Sequence, residues 1–208
     1  MSQDSKDLIG AHLKQSLAAF ERATRNAALL ATARKIADAI VTALRAGNKL
    51  LIIGNGGSAA DAQHIAAEFL SRFKLDRSPL PAIALTTDSS VLTAIGNDYG
   101  YDKVFERQIL GLGAAGDVFI AISTSGRSPN ILRAITAAKE KQLVVVGFTG
   151  NAGGEMKSCC DICLRAPSDS TPLIQQIHIT AAHIICGLVE ARLFPRVAST
   201  TAKAAAHG

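Results

Sequence analysis

The chain has 208 residues, a formal net charge of +5, 48% hydrophobic residues and only 4% aromatic residues. This is enough apolar material for the core of one ordinary domain and argues against intrinsic disorder. Basic residues are scattered among acidic ones and aromatic residues are scarce, so the composition does not favour nucleic-acid binding. The polar first residues do not resemble a secretory signal, and no run reaches the roughly 18 to 20 uninterrupted apolar residues of a membrane helix. We therefore expect a cytoplasmic enzyme.

The N-terminal region carries two amphipathic patterns. Apolar residues recur at helical spacing over residues 8–20 and again over residues 29–44, and Gly47 follows the second pattern as a helix terminator. Such a pair has more apolar surface than one sheet edge covers. We predict that residues 1–46 form a helical extension that packs against other subunits.

Five short apolar runs follow, separated by stretches of helical length. The predicted strands cover residues 50–53, 82–85, 118–122, 144–148 and 162–164. This alternation is typical of an α/β fold with a five-stranded parallel sheet, right-handed crossovers and helices on both faces, here over residues 47–196. Pro129 and Pro172 each begin a helix, the latter ending near Leu193. We expect the tail, residues 197–208, to be disordered.

Two loops follow strands of this predicted sheet. Gly54-Asn55-Gly56-Gly57-Ser58 follows the first strand and begins a helix, and Ser123-Thr124-Ser125-Gly126-Arg127-Ser128 follows the third. Glycines let the backbone approach a ligand closely, and free N–H groups at a helix start attract phosphate or a carbonyl oxygen. Both loops lie at the carboxyl ends of parallel strands, so we expect them to face one crevice that binds a small phosphorylated ligand.

The first loop, extended to Ala59, also matches the dinucleotide fingerprint G-x-G-x-x-A. That alternative requires an acidic residue at the end of the second strand to hold a ribose, and the nearest candidate, Asp88, comes late. The fingerprint leaves the second loop unexplained. A sugar phosphate, bound through its hydroxyls at one loop and its phosphate at the other, is the favoured ligand.

Two polar residues share a face of the helix that the glycine loop begins. His64 and Glu68 are four residues apart and can share a metal ion or a substrate proton, although a surface ion pair is the ordinary alternative. They form a site only if another element packs over them. The final apolar helix supplies Gln175, His178 and His183. Helix geometry alone favours His178, which shares a face with Gln175, over His183, about 12 Å further along the axis.

The four cysteines suggest no zinc site. Three of them lie in the segment Cys159-Cys160-Asp161-Ile162-Cys163 and the fourth is Cys186. A structural zinc site needs a second ligand pair at a suitable spacing, which is missing. We expect the four cysteines to be buried free thiols, and redox activity is the alternative.

Taken together, the motifs resemble the phosphoheptose isomerases, which belong to the sugar isomerase (SIS) family. The shared elements are the glycine loop with the His and Glu after it, Gly96-Asn97-Asp98, the Ser/Thr loop, and Gln175 with His183. The resemblance covers nearly the whole chain. It implies a flavodoxin-like three-layer SIS fold, a homotetramer, and the interconversion of sedoheptulose 7-phosphate and D-glycero-D-manno-heptose 7-phosphate. This reaction is the first step toward the heptose of bacterial lipopolysaccharide or related glycans.

The resemblance also assigns roles to individual residues. It gives Glu68 and His183 as the acid/base pair of an enediol mechanism, which replaces the geometric preference for His178. The substrate-binding residues that it implies are Asn55, Gly56, Gly57, Ser58, Glu68, Asn97, Asp98, Ser123, Thr124, Ser125, Ser128 and Gln175. Some members use a zinc ion, one per subunit, for which the matching ligands are His64, Glu68, Gln175 and His183.

One position departs from the family pattern, and two rival functions stay open. Pro172 stands where some relatives have an Asp, and Ser170 or Thr171 could substitute for that substrate contact. The chain also resembles the DnaA initiator-associating protein, a non-catalytic SIS protein, which however lacks the Glu68 and His183 pair. A sugar-phosphate-sensing regulator is less favoured, because no DNA-binding helix-turn-helix segment is evident.

Overall fold

The computed structural model describes residues 3–195 of the chain. The strands are β1 (Leu50–Gly54), β2 (Ala82–Ala84), β3 (Val118–Ile122), β4 (Val144–Thr149) and β5 (Ile162–Arg165). The helices are α1 (Gln3–Arg25), α2 (Ala27–Arg45), α3 (Gly57–Leu70), α4 (Ser89–Tyr99), α5 (Glu106–Leu112), α6 (Pro129–Glu140), α7 (Met156–Cys159) and α8 (Thr171–Leu193). A 3₁₀ turn, Tyr101–Lys103, links α4 to α5. The five predicted strands and the final helix are confirmed.

The five strands form one parallel sheet in the order β2-β1-β3-β4-β5. This is the flavodoxin-like order, so the predicted α/β class is confirmed. The register pairs Gly54 at the end of β1 with Ile122 at the end of β3. Consequently, the loops that follow these two strands leave the sheet side by side.

The sheet is covered on both faces, which explains why its central strands are apolar throughout. Successive side chains of β1 point to opposite faces. Leu50 and Ile52 join the cluster formed with α2, α3 and α8. Leu51 and Ile53 join the cluster formed with α5 and α6. The molecule therefore has three layers, helices on a sheet on helices.

The two N-terminal helices differ in their surroundings. Ile36 and Ile40 of α2 are fully buried in the first core cluster, against the sheet and α8. By contrast, α1 contacts α8 while leaving large apolar side chains exposed, namely Leu8, Ile9, Leu13 and Leu17. The apolar surface that the sequence pattern predicted to lie uncovered is thus on α1, and its packing against other subunits stays a prediction.

Within the described residues, α8 is the one helix long and apolar enough by composition to cross a membrane. The search of the sequence for uninterrupted apolar runs did not find this helix, because polar residues interrupt its apolar stretches. Half of its most apolar stretch is buried inside the protein, including Ile177, Ile185 and Val189. Packing in the core thus accounts for its composition. Residues 1–2 and 196–208, including the tail predicted to be disordered, lie outside the described residues.

The cysteine segment spans α7 and the start of β5. Cys159, Cys160 and Cys163 are half-buried free thiols, and Cys186 is buried in α8. Burial raises the pKa of Cys163 to about 11, and burial with the neighbouring thiols raises the pKa of Cys160 further. A thiol that stays protonated is a poor nucleophile and metal ligand. This supports the reading of these cysteines as packing residues.

Candidate functional site

The glycine loop and the Ser/Thr loop lie next to each other at the carboxyl edge of the sheet. β1 is hydrogen-bonded to β2 on one side and to β3 on the other, and the chain reverses its direction of travel across the sheet here. In open α/β sheets, ligands bind in the crevice at this switch point. The prediction that the two loops face one crevice agrees with this arrangement.

The glycine loop is held close to the last helix. Gly56 precedes α3 with φ +55°, a conformation that favours glycine, and no side chain caps the helix start. At Gly57, an added Cβ would lie 2.5 Å from the amide nitrogen of Gln175. A larger residue at this position would therefore displace the Gln175 side chain from its place against the loop. The N–H groups of Ser58 and Ala59 donate to the carbonyl oxygens of Asn55 and Gly56, both at 3.0 Å, so the N–H of Gly57 is the donor that this helix start can offer to a ligand.

Asn55 is fixed by a pair of amide hydrogen bonds. Its Nδ2 donates to Oδ1 of Asn130 and its Oδ1 accepts from Nδ2 of Asn130, both at 2.9 Å. The hydroxyl of Tyr101 also donates to Asn55 Oδ1, at 3.3 Å. Asn130 lies in the first turn of α6 and is only 3% exposed. Asn130 joins the two loops and was not among the predicted site residues, although an amide in the first helical turn after the Ser/Thr loop is a signal that could have found it.

The Ser/Thr loop presents a cluster of hydroxyls at the start of α6. Ser123 Oγ lies 3.0 Å from Ser128 Oγ and 3.5 Å from Ser125 Oγ. Ser128 is the N-cap of α6, but no side-chain hydrogen bond caps that helix. Pro129 has no N–H and that of Ile131 donates to the Ser128 carbonyl oxygen at 3.1 Å, which leaves the N–H of Asn130 as the donor at the helix start. Hydroxyl donors beside such an N–H group suit an anion. Thr124, half-buried, belongs to the same turn.

Three residues predicted as acid/base or metal-binding groups converge between α3 and α8. Glu68 Oε1 lies 3.1 Å from His64 Nε2 and 4.0 Å from His183 Nε2, and the two imidazole nitrogens are 3.3 Å apart. Of the groups of His, Cys, Asp and Glu within the described residues, this is the one close enough to hold a metal ion. Glu68 is 20% exposed and His183 is 37% exposed, so the group is accessible to a ligand.

The geometric preference for His178 was wrong. His178 is 1% exposed, its Nε2 lies 3.1 Å from the carbonyl oxygen of Thr149, and burial lowers its pKa to about 4. The preference assumed that the ligands of one ion share a short stretch of α8. Instead, α3 and α8 run side by side, so that Gln175 contacts the start of α3 and His183 reaches its later turns. Whether Gln175 completes a metal site stays a prediction.

One carboxylate beside this group was not foreseen. Asp61 lies one turn before His64 on α3, and burial raises its pKa while the nearby His64 lowers it in part. Its Oδ2 is buried and has no hydrogen-bond partner among the described residues. A helical wheel of α3 would have placed Asp61 on the face of His64 and Glu68.

The remaining predicted substrate ligands lie near helix ends, and they differ in exposure. Asn97 and Asp98 are exposed in the last turn of α4, where Asn97 Nδ2 donates to Asp98 Oδ1 at 2.8 Å. Ser58 is buried in the first turn of α3. Ser170, the N-cap of α8, and Thr171 are exposed beside the departure at residue 172. Asp88, the acidic candidate for a dinucleotide, instead caps α4 by accepting from Val91 N.

The donor set suits zinc. Zinc bound by histidine nitrogen and carboxylate oxygen at about 2.0 to 2.2 Å in a tetrahedron has ligand atoms roughly 3.3 to 3.5 Å apart. The three separations here, 3.1, 3.3 and 4.0 Å, bracket that spacing. One carboxylate and two imidazoles also match the ligands of catalytic zinc sites, which keep a position open.

Residues 12–150 match the SIS domain family. A phosphoheptose isomerase of Bradyrhizobium sp. (strain BTAi1 / ATCC BAA-1182) is 61% identical over 193 residues, which are 93% of this chain and 98% of the relative. This chain belongs to the phosphoheptose isomerase family. A second phosphoheptose isomerase, from Burkholderia pseudomallei (strain K96243), is 61% identical over 80% of this chain and 84% of its own length.

Solved structures agree with the family assignment. The phosphoheptose isomerase of Neisseria gonorrhoeae has a TM-score of 0.85 at 41% identity, over 89% of this chain and 98% of that one. The phosphoheptose isomerase of Francisella tularensis has the same TM-score at 38% identity, over 91% and 98%. The chain is therefore an isomerase with the SIS fold, as the resemblance implied. A non-catalytic initiator-associating protein is not supported.

Proposed function

We propose that the protein interconverts sedoheptulose 7-phosphate and D-glycero-D-manno-heptose 7-phosphate through an enediol. The observation that carries this proposal is the meeting of Glu68 and His183, 4.0 Å apart, in a chain of the phosphoheptose isomerase family. An aldose-ketose isomerisation needs one group that moves a proton between adjacent carbons and another that manages the protons of the two oxygens. A carboxylate and an imidazole at this separation supply both.

The phosphate end of the substrate binds at the Ser/Thr loop. Ser123, Thr124, Ser125 and Ser128 supply hydroxyl donors, and the start of α6 supplies the N–H of Asn130. The loop is fixed to the glycine loop through Asn130 and Asn55, so both ends of the crevice keep their spacing.

The reacting end of the sugar lies at the glycine loop and along the groove between α3 and α8. Gly56, Gly57 and Ser58 present their backbone to the sugar, together with Asn55 and Gln175. Asn97 and Asp98 bind sugar hydroxyls from α4. The α4 end approaches the glycine loop through Tyr101, which supports this placement.

In the ketose-to-aldose direction, Glu68 removes a proton from C1 while His183 gives a proton to the carbonyl oxygen on C2. The product is the enediol. Glu68 then returns its proton to C2, and His183 takes the hydroxyl proton from the oxygen on C1, so that the aldehyde forms and both side chains regain their starting states. The contacts of Glu68 Oε1 with the Nε2 atoms of His64 and His183 keep the carboxylate in position for both proton transfers.

The same cluster is proposed to hold one Zn²⁺ per subunit, with His64, Glu68, His183 and Gln175 as ligands. The ion, when bound, would stabilise negative charge on the substrate oxygens as a Lewis acid. The support is the fit of the three measured separations and the chemistry of the donors.

We further propose a homotetramer in the cytoplasm that serves the heptose of lipopolysaccharide or a related glycan. The exposed apolar residues of α1, Leu8, Ile9, Leu13 and Leu17, support burial against other subunits. Size-exclusion chromatography with light scattering tests the oligomer, and a monomer would refute it.

The deciding experiment is to incubate the purified protein with sedoheptulose 7-phosphate and follow formation of the aldose by NMR, with and without chelator. We expect conversion in the metal-replete sample. Binding of the sugar phosphate without conversion in that sample would overturn the proposal and favour a sensor or adaptor role.

A further inference from the structure

The segment after α3, residues 71–80, leads back to the sheet and is fastened to α8 by one carboxylate. Glu190 Oε2 accepts from the backbone N–H of Lys74 at 3.0 Å and from that of Leu75 at 3.1 Å. Burial alone would raise the pKa of Glu190, but these N–H groups, a further one from Phe73, and Arg77 outweigh burial and hold that pKa below its usual range. The ionised carboxylate therefore holds the segment at residues 73–75.

Arg77 fastens the same segment to the end of α3. Its Nε lies 3.2 Å from Glu190 Oε1, while its two terminal nitrogens donate to the carbonyl oxygens of Phe69 and Glu68, both at 2.8 Å. The side chains of Arg77 and Glu190 are 3% and 4% exposed. An arginine that binds the last carbonyls of a helix fixes that end of the helix. Here the end carries Glu68 itself.

Phe73 transmits this anchoring to His183. Its ring lies nearly parallel to the His183 imidazole, with centroids 5.7 Å apart and an interplanar angle of 24°. An added Cβ at Gly187, one turn after His183, would lie 3.3 Å from the Phe73 ring. His64 contacts His183 edge-on, with centroids 5.0 Å apart. The imidazole is thus held between an anchored phenyl ring and the other imidazole.

We propose that Phe73 is a positioning residue for His183, held in place by the buried Glu190–Arg77 pair, and that this brace sets the orientation of the imidazole toward Glu68. The predicted effect of this brace on turnover rests on the proposed function. The geometric part, an imidazole oriented by Phe73, stands independently of the substrate.

The kinetic test compares Phe73→Leu and Phe73→Tyr. Leucine fills much of the space but cannot stack, so we expect kcat to fall at least 10-fold with KM for sedoheptulose 7-phosphate within about twofold, because the phosphate loop is distant in the fold. Tyrosine keeps the ring and should restore most of kcat. Ile135→Val, in the core on the opposite face of the sheet, controls for general loss of packing and should keep kcat. Unchanged kcat in Phe73→Leu, or an equal fall in Ile135→Val, would overturn the proposal.

A second readout does not depend on turnover. In the metal-free protein, the imidazole ring protons of His183 should shift in NMR spectra of Glu190→Gln, which keeps the Phe73 ring but weakens the anchor of its segment. Phe73→Leu is not used for this readout, because loss of the ring current alone would shift these signals. The ring protons of His178, buried elsewhere on α8, should stay unchanged as the internal control. Unmoved His183 signals in Glu190→Gln refute the brace. If these signals shift but the wild type converts no sugar phosphate, the brace stands and the proposed isomerisation fails.

Discussion

His183 Nε2 lies 3.3 Å from His64 Nε2, although the two residues are 119 positions apart in the chain. Two imidazole nitrogens at this distance form a hydrogen bond only if one ring donates and the other accepts. Alternatively, both lone pairs face a shared cation. Glu68, 3.1 Å from His64, adds a negative charge to the same point. The arrangement therefore attracts either a proton or a metal ion.

Adding Zn²⁺ to the metal-free protein should stabilise it, because a ligand that binds only the folded state adds about 2.7 kcal/mol to the free energy of unfolding at 100 times its dissociation constant. The increase in melting temperature should largely disappear in His64→Ala. His12→Ala, an exposed histidine of α1, is the matched control and should keep the full increase. Equal stabilisation of all three proteins would refute the proposed site.

Glu68→Gln should lower kcat by about 10² to 10⁴-fold, the usual contribution of a positioned general base. The amide has the shape of the carboxylate but does not accept a proton from carbon. KM should change little, since the phosphate is held elsewhere. The measurement is NMR turnover of sedoheptulose 7-phosphate, with the exposed Glu140→Gln of α6 as the control. Near-normal kcat in Glu68→Gln would show that another group moves the proton.

His183→Ala and His178→Ala should have opposite effects. The loss of His183 should abolish turnover, because the proposed mechanism needs its imidazole. Since His183 is partly exposed, its loss should change the free energy of unfolding by less than about 1 kcal/mol. His178 is buried and bonded to Thr149, so its loss should destabilise the protein by roughly 2 to 4 kcal/mol while the folded fraction stays active. Urea unfolding and NMR turnover on the same samples separate the two. Full activity in His183→Ala would contradict the site.

The Asn55–Asn130 pair should show strong coupling in a double-mutant cycle. Removing Asn55 leaves the buried amide of Asn130 unsatisfied, at about 1 to 3 kcal/mol. Removing Asn130 costs less, because Asn55 is half-buried and its Oδ1 still accepts from Tyr101, and removing both costs less than the sum. We expect a coupling energy of about 1 to 2 kcal/mol from urea unfolding of Asn55→Ala, Asn130→Ala and the double variant. Additive effects would mean that the two loops are held together by other contacts.

Asp117 should stabilise the folded protein at neutral pH and lose this effect in acid. It is 1% exposed, and burial would raise its pKa, but hydrogen bonds from the side chain and N–H of Lys49, from Ala114 N and from Asn48 together lower it. A carboxyl whose pKa is lowered by folding stabilises the folded state at pH values above the pKa in the unfolded chain, about 3.9. This stabilisation is lost as the pH falls through the pKa in the folded state.

Asp117→Asn should therefore be less stable than the wild type at pH 7, and the difference should narrow as the pH falls from 5 to 3. Urea midpoints at each pH measure this difference. A gap that stays constant down to pH 3 would show that the charge of Asp117 contributes nothing.

The strands were predictable because a parallel sheet covered on both faces needs continuous apolar runs, as in Leu50–Ile53. The helix α4 was harder, since it has no buried residue that would produce a clear apolar stripe. The site was predictable only in part. His64 and Glu68 follow from helical spacing, whereas the choice of His183 over His178 depends on how α8 is rotated against α3. The spacing of residues within one helix does not predict how that helix is rotated against its neighbour.

The contacts that Asn130 and Phe73 make with the site do not follow from local sequence patterns, for a related reason. Asn130 meets Asn55 because the β1–β3 register brings two loop ends together, and those residues are 75 positions apart. Phe73 reaches His183 because Glu190 binds the backbone of residues 74 and 75, a contact across 116 and 115 positions. Local patterns predict elements, and these contacts arise only when the elements pack.

The division of the cluster between α3 and α8 has a consequence for biosynthesis. A growing chain presents His64 and Glu68 early, but His183 and Glu190 belong to the last helix, Thr171–Leu193. Translation proceeds from the N-terminus, so a nascent polypeptide stalled before that helix carries His64 and Glu68 but lacks His183. Under the proposed function, activity therefore depends on the completed synthesis of the final helix.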